Sequence, residues 1–229
     1  MASLPRYAIY YAAPRGGALD RFGAEHLGYD AWGGVDLPFP DGLPADWREL
    51  TSDPRKYGFH ATLKAPFALA PGKDEFELTT ACADFARTAR PIPVIAPVVN
   101  SISGFIAVVP AEPSDELVQL AADCVHAFDP FRAALTPEDR ARRKPGKLTQ
   151  RQRDYLDRWG YPYVMEEFRF HMTLTGRLDN ARRGPVLDLL SERFQKTGVR
   201  SLTIDSIALF KQVDAQSRFR IIGAWPLQT

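Results

Sequence analysis

Two short words in the sequence pair an imidazole with a hydroxyl at strand spacing: Phe59-His60-Ala61-Thr62-Leu63 and Phe170-His171-Met172-Thr173-Leu174. Side chains alternate between the two faces of a β-strand, so residues two apart share a face. His60 therefore points with Thr62, and His171 with Thr173, while the flanking apolar residues point into a core. Carried outward, the alternation adds Lys56, Gly58 and Lys64 to the His60 face, and Arg169, Thr175 and Arg177 to the His171 face. Each word then offers an imidazole, a hydroxyl and cations on one polar side.

That kit suits a phosphate ester. Cleaving a phosphodiester takes a proton from the attacking oxygen and gives one to the leaving oxygen. Histidine does either near neutral pH, because its unperturbed pKa is about 6.5. One neutral and one protonated histidine do both at once. The threonine hydroxyls can donate to the non-bridging oxygens, where charge builds. The expected catalytic residues are His60, Thr62, His171 and Thr173. Lys56, Tyr57, Lys64, Arg169, Thr175 and Arg177 are the expected phosphate-binding set. The scheme calls for no metal and no cofactor, and no third ligand motif accompanies the two histidines.

A repeat unit must position these groups. Residues 57–65 read as a strand, 74–89 as a helix with Asp74 and Glu77 at capping-box spacing, and 92–99 and 102–109 as two strands. The second word opens the same order: a strand over 168–175, a helix over 185–196, and strands over 202–211 and 219–225. Two copies, about 57–109 and 168–225, imply two pseudo-symmetric lobes that bring the histidines face to face across a cleft. A strand over 6–12 precedes them. A helix over 114–128 and a basic helical insertion over about 136–160 lie between them, the latter with Thr149 and Gln152 as a cap and Gly160 as a stop.

The paired words resemble the 2H phosphoesterase superfamily. More narrowly, the run from Lys56 to Phe67, together with Trp159-Gly160-Tyr161-Pro162-Tyr163 and the run from Phe168 to Leu178, resembles a branch encoded in bacterial phosphonate-utilisation operons. The resemblance covers nearly the whole chain, roughly 6–226. It implies an α+β fold, bilobal, with antiparallel sheets, outer helices and a central cleft, in one domain over residues 1–229. It also implies the same quartet but supplies no substrate. The leading reading, from the acid–base scheme and with the operon context as its hint of a ribose phosphate, is metal-independent hydrolysis of a small ribose-type or nucleotide cyclic phosphodiester. The alternatives are an RNA-end 2′,3′-cyclic phosphodiesterase or ligase, and a phosphometabolite-binding module without turnover. A binding module needs cations more than it needs acid–base groups.

Composition narrows the partners. The chain has 229 residues, 45% hydrophobic and 25% charged, with 29 basic against 28 acidic side chains. A net charge of +1 gives no broad attraction to nucleic acid or membrane. The expected partner is a small-molecule phosphate ester, with an RNA end as the less favoured choice, no membrane, and no protein partner to be inferred. The one charge run is Arg140, Arg142, Arg143, Lys144, Lys147, Arg151 and Arg153, read as a solvated helical pair or a basic flap. Cys82 and Cys124 read as buried thiols, His26 and His126 as structural residues, and Tyr11, Tyr57, Tyr161 and Tyr163 as core or stacking rings. Lys211 and Gln212 are placed at the cleft by the repeat symmetry. With no signal core or membrane span near the start, a cytoplasmic protein is expected.

Overall fold

A computed structural model describes residues 4–229. Strand β1 (Arg6–Tyr11) leads into helix α1 (Ala18–Leu27), the ribbon strands β2 (Tyr29–Asp30) and β3 (Val35–Asp36), and two single-turn helices, α2 (Trp47–Leu50) and α3 (Ser52–Arg55). Next come β4 (Ala61–Ala68), α4 (Glu75–Arg87), β5 (Val94–Ile95), and a hairpin of β6 (Pro97–Ile102) and β7 (Phe105–Pro110). Helix α5 (Asp115–Phe128) follows, and then the basic segment as α6 (Pro137–Arg142) and α7 (Gln150–Trp159). The remainder is β8 (Met172–Thr173), α8 (Asn180–Gln195), β9 (Leu202–Thr203), and a hairpin of β10 (Ser206–Gln212) and β11 (Arg220–Pro226).

The class is α+β. Seven strands form one antiparallel sheet in the order β11-β10-β1-β4-β8-β7-β6. The expected pair of lobes is thus two halves of a continuous ladder, joined where Ala61 of β4 pairs with Met172 of β8. Each half borrows the other's hairpin. β8 lies beside β7 and β6, which follow β4 in sequence; β4 lies, across β1, beside β10 and β11, which follow β8. The short strands β5 and β9 pair with each other outside the main sheet.

The two faces of the sheet differ. Tyr7, Ile9 and Tyr11 of β1 join Ala61, Leu63, Phe170, Met172 and Leu174 in the main core. Helices α4, α5 and α8 cover that face with Leu78 and Cys82, with Leu120 and Cys124, and with Leu190 and Phe194. Helix α4 starts where the sequence requires: the Asp74 carboxylate accepts from the Glu77 amide, and Glu77 accepts from the Asp74 amide. On the other face Ala8 and Tyr10 of β1 pack with Tyr29, Phe210 and Phe219 in a small aromatic cluster. The imidazoles project on that side. Both cysteines are buried and unbridged. Among the described residues no helix is long and apolar enough to cross a membrane.

Candidate active site

The Ala61–Met172 pairing sets the geometry of the quartet. In an antiparallel ladder, moving one residue each way from that pair puts His60 opposite Thr173 and Thr62 opposite His171. Both Ala61 and Met172 are fully buried, so their neighbours on either side turn to the opposite, polar face. Directly opposed side chains have Cβ atoms about 4.5–5.5 Å apart. The four residues therefore make a two-by-two array in which each histidine faces the threonine of the other strand.

Both rings are held alike. His60 Nδ1 is 2.9 Å from the carbonyl oxygen of Gly58, and His171 Nδ1 is 2.7 Å from that of Arg169. A carbonyl can only accept, so each Nδ1 carries the proton and each Nε2 keeps its lone pair. The Thr62 hydroxyl donates to His60 Nε2 at 3.3 Å. Tyr10 stacks on His60 at 3.7 Å between ring centroids with 18° between planes, and Phe105 lies 5.5 Å from the His171 ring. Burial pulls the His60 pKa down to about 4; the Gly58 carbonyl opposes this and His171 adds to it. Burial also lowers His171, against the pull of the Arg169 carbonyl.

Gly58 turns its carbonyl toward His60 with φ +75°, in the left-handed region that favours glycine. A Cβ added there would lie 2.6 Å from the Ala31 side chain. Gly58→Ala is expected to cost about 2–4 kcal/mol from the left-handed backbone and the overpacking together. Its urea midpoint should fall accordingly; an unmoved midpoint would mean the ring's anchor is not strained.

Alternation places the residue two after each histidine and fails four after it. Register shifts flank Lys64 in the pairing of β4 with β1. Its ammonium is bonded to Asp129 at 2.6 Å and to the Val125 carbonyl at 3.1 Å, so Lys64, on the wall of a pocket lined also by Tyr57, has its charge already paired there. Thr175 lies just past a similar irregularity, where the amides of Leu174 and Thr175 both donate to Ile106 O. It is fully buried. Its hydroxyl accepts from the Ile106 amide and donates to Gly176 O, which removes it from the phosphate set. Lys56 is also misplaced: a turn from Pro54 to Gly58 precedes β4, and Lys56, 61% exposed, pairs with Asp53.

The remaining members of that set, like Lys64, line clefts. Arg169 and Arg177 line a cavity of about 340 Å³ together with Thr62, His171 and Tyr161. Tyr57 lines a neighbouring pocket and stacks on Phe219 at 5.2 Å, with its centroid 6.2 Å from that of His60. Lys211 is paired with Glu75, and the Gln212 side chain holds Arg6, which does line that pocket. His26 is buried against the Phe22 carbonyl, and His126 lies edge-on to Trp159. Sequence reasoning missed Tyr10 and Phe105. Tyr10 is the cross-strand partner of Thr62, and only the register of β1 with β4 shows this. Among the described residues no three His, Cys, Asp or Glu side chains cluster as a metal site.

Comparison with known proteins gives relatives of two kinds. A protein of Janthinobacterium sp. (strain Marseille), named ribose 1,5-bisphosphate phosphokinase PhnN, is 38% identical over 78% of this chain and 40% of its own length. A protein of the same name from Laribacter hongkongensis (strain HLHK9) is 33% identical over 94% of this chain and 50% of its own. The chain thus spans about half the length of the curated relatives it matches. A crystal structure described as a phosphoesterase is similar at a TM-score of 0.45 and 15% identity, over 99% of this chain and 100% of that one. Escherichia coli LigT complexed with 3′-AMP is similar at 0.44 and 14%, with the same coverage. The model of a family described as "Protein of unknown function (DUF1045)" matches residues 62–220, which is more than half of the chain. The chain belongs to the DUF1045 family.

Proposed function

We propose that this chain hydrolyses a small cyclic phosphodiester of the ribose type by acid–base catalysis between His60 and His171. The observation that carries the reading is the two-by-two array, with each Nδ1 tied to a carbonyl and each Nε2 turned to the polar face, that of His60 meeting only the Thr62 hydroxyl, which substrate oxygens would take over. His60 is the base, since burial and the charge of His171 keep it unprotonated far down the pH scale. Its Nε2 takes a proton from water as the water oxygen bonds to phosphorus. The bond from phosphorus to the leaving sugar oxygen breaks, and His171 Nε2–H supplies that oxygen with a proton. The product is a phosphomonoester beside a free hydroxyl. Thr62 and Thr173 donate to the non-bridging oxygens, and Arg169 and Arg177 add positive charge from the cleft wall.

The names of the curated relatives support a ribose phosphate as the substrate class, as does the resemblance to the phosphonate-operon branch, which suggests a place in phosphonate metabolism. The kinase activity in those names is not proposed for this stretch. The chain has no G-x-x-x-x-G-K-[ST] sequence with which to cradle a nucleotide's phosphates. An RNA-end substrate is less favoured, because within the basic run Arg140 is paired with Asp157 and Arg142 with Asp139.

The test is phosphorus NMR of ribose and nucleoside cyclic phosphates incubated with the protein in chelator. Ring opening by the parent and by neither His60→Ala nor His171→Ala is the expected result. Opening that stops in chelator would overturn the metal-free mechanism. The pH profile of kcat/KM follows from the two imidazoles. The active form needs His60 neutral, hence pH above about 4, and His171 protonated, hence pH below its own lowered value. The bell should therefore peak on the acid side of about 6.5, the unperturbed histidine value. A plateau extending above pH 7.5 in the free-enzyme profile would contradict the assignment of roles.

A further inference from the structure

We propose that the pocket walled by Arg6, Arg143, Tyr57 and Tyr161 holds a second phosphate of the substrate, so that the substrate is a cyclic phosphodiester that also carries a phosphomonoester. The inference rests on the reading above and names the substrate class of the same site. The pocket, about 220 Å³, shares Ala65, Val125, Tyr161 and Val164 with the cleft that holds His171, and its Tyr57 ring neighbours His60.

Its charges do not cancel. Arg142 is paired with Asp139, the one carboxylate in the lining, and Lys64 and Arg132 share Asp129. Among the described residues Arg6 bonds only to the neutral amide of Gln212, Nε to Oε1 at 2.9 Å, and lies over the Phe219 ring at 5.4 Å. Arg143 lies 5.0 Å from the Tyr161 ring centroid and has no carboxylate partner among the described residues. Two uncompensated guanidiniums in a concave, aromatic-walled recess concentrate positive potential, and their planar forks match phosphate oxygens. Arg169 and Arg177 line the neighbouring cleft at the scissile phosphate, so the two anionic groups have separate cation pairs on either side of Tyr161. Opening such a substrate leaves a sugar bisphosphate, the compound class in the names of the curated relatives.

The experiment has two arms. In the first, kcat/KM is measured on a ribose cyclic phosphate with and without a phosphate on its 5-hydroxyl. The parent should prefer the phosphorylated member by about 100-fold, the worth of one or two charge-assisted contacts. Arg143→Gln and Arg6→Gln should each cut that ratio by about tenfold, and Arg143→Lys should restore part of it. A parent ratio near one overturns the proposal. In the second arm, inorganic phosphate is titrated calorimetrically into His60→Ala/His171→Ala protein, with and without Arg6→Gln/Arg143→Gln. Phosphate binding lost with the arginines upholds the pocket even where no cyclic ester is opened, in which case only the hydrolase reading falls. Binding that ignores both arginines overturns the pocket whatever the turnover shows.

Discussion

Replacing either His60 or His171 with alanine is expected to lower turnover by about 10²–10⁴, the usual contribution of one general acid or base. The double variant should be little worse than the poorer single one, because a proton taken without one given completes nothing. The residual pH dependence separates the roles. His60→Ala should lose the acid limb of the profile, and His171→Ala the basic limb. Thr62→Val and Thr173→Val keep the strand and remove only a hydroxyl, so each should cost about 10²-fold in kcat. Single-turnover measurements on purified variants check this, and activity within tenfold of the parent for either histidine variant would falsify the mechanism.

The second large effect is on stability and lies behind the site. Asp129 joins Lys64 to Arg132: Lys64 Nζ is 2.6 Å and Arg132 Nε 2.8 Å from Asp129 Oδ1. Lys64 is 3% exposed, and burial lowers its pKa to about 8, with Asp129 opposing the shift. Asp129→Ala strands a buried cation and is expected to cost about 3–5 kcal/mol. Lys64→Met removes the buried charge itself, leaves Asp129 its arginine, and should be neutral to within about 1 kcal/mol. The pH dependence has a definite sign. The folded protein releases the Lys64 proton near pH 8, while the unfolded chain holds it to about 10.4. The unfolded state binds more protons in that window, so stability rises with pH there. Asp129→Ala should therefore recover part of its loss between pH 7 and pH 9.5, as urea unfolding at the two pH values would show.

The parts of this molecule that were legible in the sequence are those governed by local periodicity. The capping boxes at Asp74 and Thr149, the left-handed Gly160 that closes α7, and the apolar stripe of α5 stand where residue types put them. The pairing of His60 with Thr62, and of His171 with Thr173, needed only alternation over two residues. What alternation could not reach was anything beyond an irregularity. Lys64 and Thr175 each stand four residues past a histidine, and each is diverted into the interior by a shift in its ladder. Lys56 fell before the strand began, since β4 starts at Ala61. Tyr10, Phe105, Arg6 and Arg143 come to the site from other elements. Their roles depend on strand order and register, which one sequence does not display.

The exchange of hairpins has a kinetic consequence. β1 lies between β4 and β10, so Arg6 pairs on one side with Ala68 and on the other with Gln212. The second pairing spans nearly the whole chain, and closing so large a loop is slow because its entropy is lost before its contacts form. Helix α4, the β6–β7 hairpin and the pairing of β1 with β4 can form from nearer contacts, but during synthesis the other edge of β1 waits for residues 206–212 to emerge. Until then the Tyr10 edge that packs on His60 lacks its neighbour Phe210. A nascent chain cut short before β10 would carry both histidine words yet lack Phe210 beside Tyr10 and Gln212 to hold Arg6, so the complete site should arise late rather than half by half.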